Sequence, residues 1–313
     1  MKSLYWLVRR ELWESRAVWV VPLACALIIV ACTVIASLRI GYIVVSVDGQ
    51  EATGVIDHLN ASLTPDKARA IVSTTLGALT LPFLLAALFT QFVYSLDALY
   101  GERRDRSVLF WKSLPVSDAQ TVLAKLAVGA LVIPLVALVA ALATQLLVFT
   151  IASIEVAHTP ALLGQLWNPA AWGGSLLVMS YVLVAGVLWY LPLLGWLLLV
   201  SASVPRSPFL WAVLPPLALC LAEYVALRTT VLFGVLGGRF GGVGLFAYAF
   251  TDRPSATLTL GSGADSMQLP RAVIDLMRPA EFFGSTAVWS GVAVGVGLIA
   301  AAIWMRRYRD ATA

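Results

Sequence analysis

Charge is scarce in this chain. Of its 313 residues 12% are Asp, Glu, Lys or Arg, where a soluble domain carries about 25%. Histidine is scarcer still, with His58 and His158 alone, and no HExxH pattern, thiolate ligand set or nucleophile elbow accompanies them. Hydrolase and metal chemistry are therefore not expected. The three cysteines, Cys25, Cys32 and Cys220, all fall inside apolar runs, which points to buried thiols rather than a disulfide framework. No Gly-Lys-Ser/Thr follows a glycine-rich loop, so the chain is not expected to bind ATP, or any cofactor or metal, by itself.

Apolar residues are abundant instead. They make up 60% of the chain, with a mean hydropathy of +0.88. At roughly 20 residues per bilayer crossing, this composition predicts an integral membrane protein: all-α, one transmembrane domain covering 1–313. The net charge of +4 then reflects membrane topology rather than nucleic acid.

The uncharged stretches give the spans. Residues 17–38 form a first run, too long for the apolar core of a secretory signal and read as an uncleaved helix. Residues 71–96 and 126–153 supply the second and third. No charged residue occurs between Glu155 and Arg206. Pro160, Gln165, Asn168 and Pro169 break the first part of that stretch, so one long fourth span is expected over 174–204, with Pro192 as a kink. Residues 207–227 and 282–305 complete a set of six.

Orientation follows from basic residues near the span ends. With the N-terminus inside, thirteen of the 21 Lys and Arg fall in the inner segments, including Arg9, Arg10, Arg103, Arg104, Lys125, Arg306 and Arg307. Both termini are thus expected in the cytoplasm. Ahead of the first span, Leu4, Tyr5, Val8 and Leu12 share one helical face while Arg9 and Arg10 point elsewhere, and Trp6 and Trp13 suit headgroup depth. A short interfacial helix is predicted there.

The segment Asp97 to Lys125, DALYGERRDRSVLFWKSLPVSDAQTVLAK, is longer and more charged than reconnecting two helices requires. Charges interleaved with Tyr100, Phe110 and Trp111 are what protein interfaces use as anchors. A membrane-surface loop that satisfies the positive-inside rule is the competing reading. Ser107 to Lys112 has the makings of a short helix ended by Pro115, and Ser117 with Gln120 has capping-box spacing for the next helix.

YGERRDRSVLFWKSLPVSD resembles the cytoplasmic loop of bacterial type 2 ABC transporter permeases. The opening RRELWESRAVW, the stretch YLPLLGWLLLVSASVPRSPFLWAVLPPLAL and the closing AAIWMRRYRD carry the resemblance along the chain. It implies a six-helix permease of the bacterial inner membrane that dimerises or pairs with a second permease. A coupling helix between spans two and three would dock on a separate ATPase subunit, which holds ATP and Mg. Carried onto this sequence, that element is Tyr100 to Trp111, with Glu102, Arg103, Arg104 and Asp105 as polar contacts and Tyr100, Phe110 and Trp111 as aromatic ones. The resemblance further implies short re-entrant helices in the outer segment Arg228 to Glu281, where Thr229 to Phe250 is glycine-rich and apolar apart from Arg239.

One carboxylate lies within a span. Glu223 is a candidate functional position by default, with a structural, protonated or hydrogen-bonded glutamate near the interface as the competing reading; its partner is unassigned, and Arg228 is close in sequence. Two functions compete: the permease of an ABC exporter, and a non-transporting assembly or sensor component on the same scaffold. An ion-driven carrier is weaker, because no inverted repeat is evident and it needs no ATPase-docking loop. Trp189, Tyr190 and Trp196 point to an amphipathic cargo.

Overall fold

The computed structural model describes residues 2–40, 45–47, 50–52, 65–105, 116–157, 160–240, 245, 248–250, 274 and 277–309. A short helix α1 (Lys2–Glu14) precedes α2 (Ala17–Ile40), and a small hairpin, β1 (Val45–Val47) antiparallel to β2 (Gln50–Ala52), follows. Next come α3 (Pro65–Asp97), the five-residue α4 (Tyr100–Arg104) and α5 (Asp118–Ala127), which runs through a π turn (Val128–Val132) into α6 (Ile133–Glu155). After the short α7 (Pro160–Leu166) lie α8 (Pro169–Ser203), α9 (Pro208–Leu227), α10 (Val231–Phe240), α11 (Pro279–Gly284) and α12 (Thr286–Arg309). Six helical stretches among the described residues are long and apolar enough to cross a bilayer. The fold is thus that of a mainly helical, multi-pass membrane protein, with the hairpin added in the first long connection.

Local chemistry sets the helix boundaries. The Ser117 capping box forms as its spacing predicts: Ser117 Oγ accepts from the Gln120 amide at 3.2 Å, and Gln120 Oε1 accepts from the Ser117 amide at 3.3 Å. This cap starts the third span eight residues before the predicted 126. Asn168 caps α8 by accepting from the Ala170 amide at 2.9 Å, with Pro169 at the first helical position, where its missing N–H costs nothing. The stretch after Glu155 therefore holds one long helix behind a short one. The last span was expected from 282; extended backbone at Ser285 instead separates α11 from α12.

Prolines inside the spans are accommodated by their neighbours. Pro216 within α9 cannot donate to the Ala212 carbonyl four residues back, and Trp196 of α8 donates its indole N–H to that oxygen at 3.0 Å. In the π turn, the Gly129 carbonyl accepts from buried Gln91 Nε2 at 2.8 Å.

The core forms where α8 meets α12, with α3, α6 and α2 packed around it. Two glycines permit the α8–α12 approach. A Cβ on Gly195 would lie 2.9 Å from the Gly295 carbonyl oxygen, and one on Gly295 would lie 2.9 Å from the backbone of Leu191 and Pro192. Such small-residue contacts suit helices in lipid, where packing rather than water exclusion drives association. Trp189 and Tyr190 are buried against Leu245 and Phe282, and Trp196 braces α9. Trp189 and Tyr190 are thus internal packing residues, and Trp196 is half-buried. In α9 only Ala212 is buried among the side chains, so its apolar surface faces outward.

Candidate functional site

The ends of α1, α3, α6's leading helix α5 and α12 converge on a charged node. It begins on α1, where Val8 and Leu12 pack against the core. Glu11 lies on that same inward side and is 5% exposed. Arg10 is turned inward too, contrary to the expectation that it points away: its Nη2 donates to Glu11 at 3.1 Å and to Glu102 at 3.3 Å.

Around Glu11 and Glu102 the pairs alternate in sign. Lys125 Nζ donates to Glu11 Oε1 at 2.8 Å and lies 3.1 Å from Glu102 Oε1. Arg306 Nη1 donates to Glu102 Oε2 at 2.8 Å, while its Nε donates to Asp118 Oδ1 at 3.2 Å. The Tyr94 hydroxyl donates to Glu11 Oε2 at 3.0 Å. Glu102, Lys125 and Arg306 are each under a tenth exposed. Burying an ion costs several kcal/mol, offset only when counter-charges and hydrogen bonds surround it. Here each buried carboxylate meets at least two cations, and the node ties α1, α4, α5 and α12 together.

A second set of contacts seats α4 on the end of α8. Ser201, fully buried, accepts through Oγ from the Leu99 and Tyr100 amides at 3.0 and 2.9 Å. Arg103 Nη2 donates to the Val204 carbonyl at 3.0 Å and to that of Ser201. A guanidinium at the negative end of a helix is electrostatically favoured. Glu102 and Arg103 therefore make these contacts inside the chain, where the resemblance implied contacts with a partner.

The rest of α4 faces outward. Arg104 Nε donates to Asp105 Oδ1 at 3.1 Å, with side chains 57% and 63% exposed, and the Arg104 guanidinium lies 5.9 Å from the Tyr100 ring. Phe110 and Trp111, with the short helix expected over 107–112, lie outside the described residues. So do His58 and His158.

Glu223 sits elsewhere. Its carboxylate accepts from Thr229 Oγ1 at 2.7 Å and from the amides of Val231 and Leu232 at 2.9 and 2.8 Å. It caps the N-terminus of α10, satisfying donors that a helix start leaves open. Arg228, the nearest cation in sequence, takes a left-handed backbone with φ of 54° and lies over Tyr224. Beyond that cap, Arg239 ties α10 to two spans. Its guanidinium lies 4.1 Å from the Trp189 ring centroid, donates to the Trp189 carbonyl at 3.1 Å and to that of Ala287, and occupies the space a Cβ on Gly291 would need. Burial pulls the Arg239 pKa down from its usual value, and neighbouring Tyr248 opposes that shift.

Glu11, Tyr94, Asp118, Lys125, Ser201 and Arg306 were not singled out as site residues from sequence. One signal was present: Glu11 follows Leu4 and Val8 and precedes Leu12 on the apolar stripe of α1, an unfavourable place for a carboxylate without a partner. No protein-family model matches the chain, and no curated protein matches it.

Proposed function

We propose that this chain is the membrane-spanning subunit of a bacterial ABC exporter, working as two copies, or with a second permease, beside a separate ATPase subunit. The observation that carries the reading is α4. It is a short helix at the end of the second span whose inner side is locked to α1, α5, α8 and α12, while Arg104 and Asp105 remain exposed. An element built in this way transmits displacement: a load applied at Asp105 reaches four other helices through buried ion pairs and hydrogen bonds. The resemblance of YGERRDRSVLFWKSLPVSD to permease coupling loops names the source of that load. Tyr100, Arg104 and Asp105, continued by Phe110 and Trp111, form the docking face, and Glu102 and Arg103 anchor it. ATP and Mg belong to the partner ATPase. In this reading the membrane is the bacterial inner membrane, both termini are cytoplasmic, and α10 with its Glu223 cap belongs to the outer, short-helix layer.

The test is a charge swap at the exposed pair, Arg104→Glu with Asp105→Arg. The swap keeps the two side chains paired with each other and leaves the buried node untouched, but it inverts the pattern shown to a partner. Insertion and folding are expected to be unchanged, while stimulation of the partner's ATP hydrolysis falls at least tenfold, since mispaired charges at an interface cost several kcal/mol. Full stimulation by the swapped protein would favour a non-transporting membrane component.

A further inference from the structure

A cleft of about 430 Å³ lies beside the node, between the α1–α2 hinge and the end of α3. Its lining changes character along the helices. Asp97 ends α3, and Phe89, also in the lining, is eight residues earlier, about 12 Å along the axis. On the facing element Arg16 stands at the hinge, followed inward by Val18 and Val21. The cleft is charged at one end and apolar toward the membrane interior. Phe89 and Val93 are 68% and 47% exposed, so its apolar part opens sideways to lipid. Exposed Trp13 and Trp19 flank the hinge, as tryptophan does at headgroup depth.

Most charges in the lining are already spent. Glu11, Glu102 and Lys125 belong to the node, Glu14 pairs with Arg10, and Arg104 pairs with Asp105. Arg16 and Asp97 are exposed, and neither forms an ion pair with a described residue. Among the described residues Arg16 and Asp97 thus line the same amphipathic cleft without an ion pair between them, Asp97 lying within electrostatic reach of Arg104. A ligand that satisfies both carries a phosphate for the Arg16 guanidinium, a charge-assisted contact, and an N–H-bearing cation for the Asp97 carboxylate. A quaternary ammonium has no N–H to donate, and a net-anionic headgroup meets Asp97 and the neighbouring carboxylates unfavourably.

We propose that this cleft binds one phospholipid with a phosphoethanolamine headgroup, drawn from the leaflet on the node's side. Its phosphate sits on Arg16, its ammonium on Asp97, and its acyl chains along Val21, Phe89 and Val93. This assignment does not depend on the chain being an exporter subunit.

The test is native mass spectrometry of the detergent-purified full chain, titrated separately with phosphatidylethanolamine, phosphatidylcholine and phosphatidylglycerol of identical acyl chains, and with free phosphoethanolamine. Retention of the ethanolamine lipid is expected to be about tenfold stronger than of the choline lipid, as one charge-assisted hydrogen bond implies. Asp97→Asn should remove that preference, weakening the ethanolamine lipid more than the choline lipid; Arg16→Gln should weaken both; Val93→Trp should exclude both with every charge in place. Equal retention of the ethanolamine and choline lipids, or stronger retention of the glycerol lipid, would overturn the assignment, and neither comparison needs a variant. Binding of free phosphoethanolamine as tight as that of the lipid would overturn the membrane source.

Discussion

Glu102 is the residue on which the node turns. Among the described residues it is the one carboxylate reached by cations from three directions, Arg10 of α1, Lys125 of α5 and Arg306 of α12. Replacing it with Gln removes a buried charge but strands its counter-ions, so Glu102→Gln is expected to destabilise the folded protein by about 3 kcal/mol. Thermal or denaturant unfolding of the purified protein measures this. Because Arg306 loses its main partner in that variant, Glu102→Gln combined with Arg306→Gln should cost clearly less than the two single changes added together. Strict additivity would mean that the ion pair does not hold α4 to α12. The same geometry shows why reversing Glu102 and Arg103 cannot separate docking from folding: both changes would strike contacts inside the chain.

At the scale of elements, helix ends and close approaches carry the fold. Gly195 and Gly295 let α8 and α12 touch backbone to backbone. Gly195→Val must push the helices apart, and a loss of about 1–3 kcal/mol is expected, read as a lower unfolding midpoint. Gly297→Val on α12, where a Cβ would meet nothing within 4 Å, is the control expected to be tolerated. The spans themselves were legible in the sequence because each rests on local information. Residues 17–38 were read and Ala17–Ile40 is helical; 207–227 were read and Pro208–Leu227 is helical. The Ser117 box was legible for the same reason, since donor and acceptor are three residues apart. Inward contacts were not. Glu102 meets Arg306 across 204 positions, and Arg103 meets the Val204 carbonyl across 101. No spacing rule links residues so far apart, so a charged loop facing a partner and one folded back on its own helices look alike in sequence. Glu223 is hydrogen-bonded, the structural alternative open to it in the sequence, but its donors include backbone amides eight and nine residues ahead, which no search for a cation would find.

For the whole molecule, the proposed six-span topology puts α7 and the C-terminal end of α12 on opposite sides of the membrane. In a background with Cys25, Cys32 and Cys220 replaced, Gly164→Cys on α7 is exposed and has open space around its Cβ, so an impermeant thiol reagent applied to intact cells should label it. Arg307→Cys, exposed near the end of α12, should react only after permeabilisation. Labelling of both from outside would require a different number of crossings. The topology matters because a coupling face at Tyr100 to Asp105 can meet an ATPase only if it lies on the cytoplasmic side with α1 and the end of α12.

The proposed function has this chain driven by a separate ATPase subunit. It is tested most directly by isolating the tagged protein from its native membrane, weighing the intact complex and assaying ATP hydrolysis. Expected are two copies of the permease, or one with a paired permease, together with two copies of a P-loop ATPase, and hydrolysis that drops when Arg104 and Asp105 are exchanged. A transport-active complex without an ATPase, or one whose hydrolysis ignores the exchange, would contradict it.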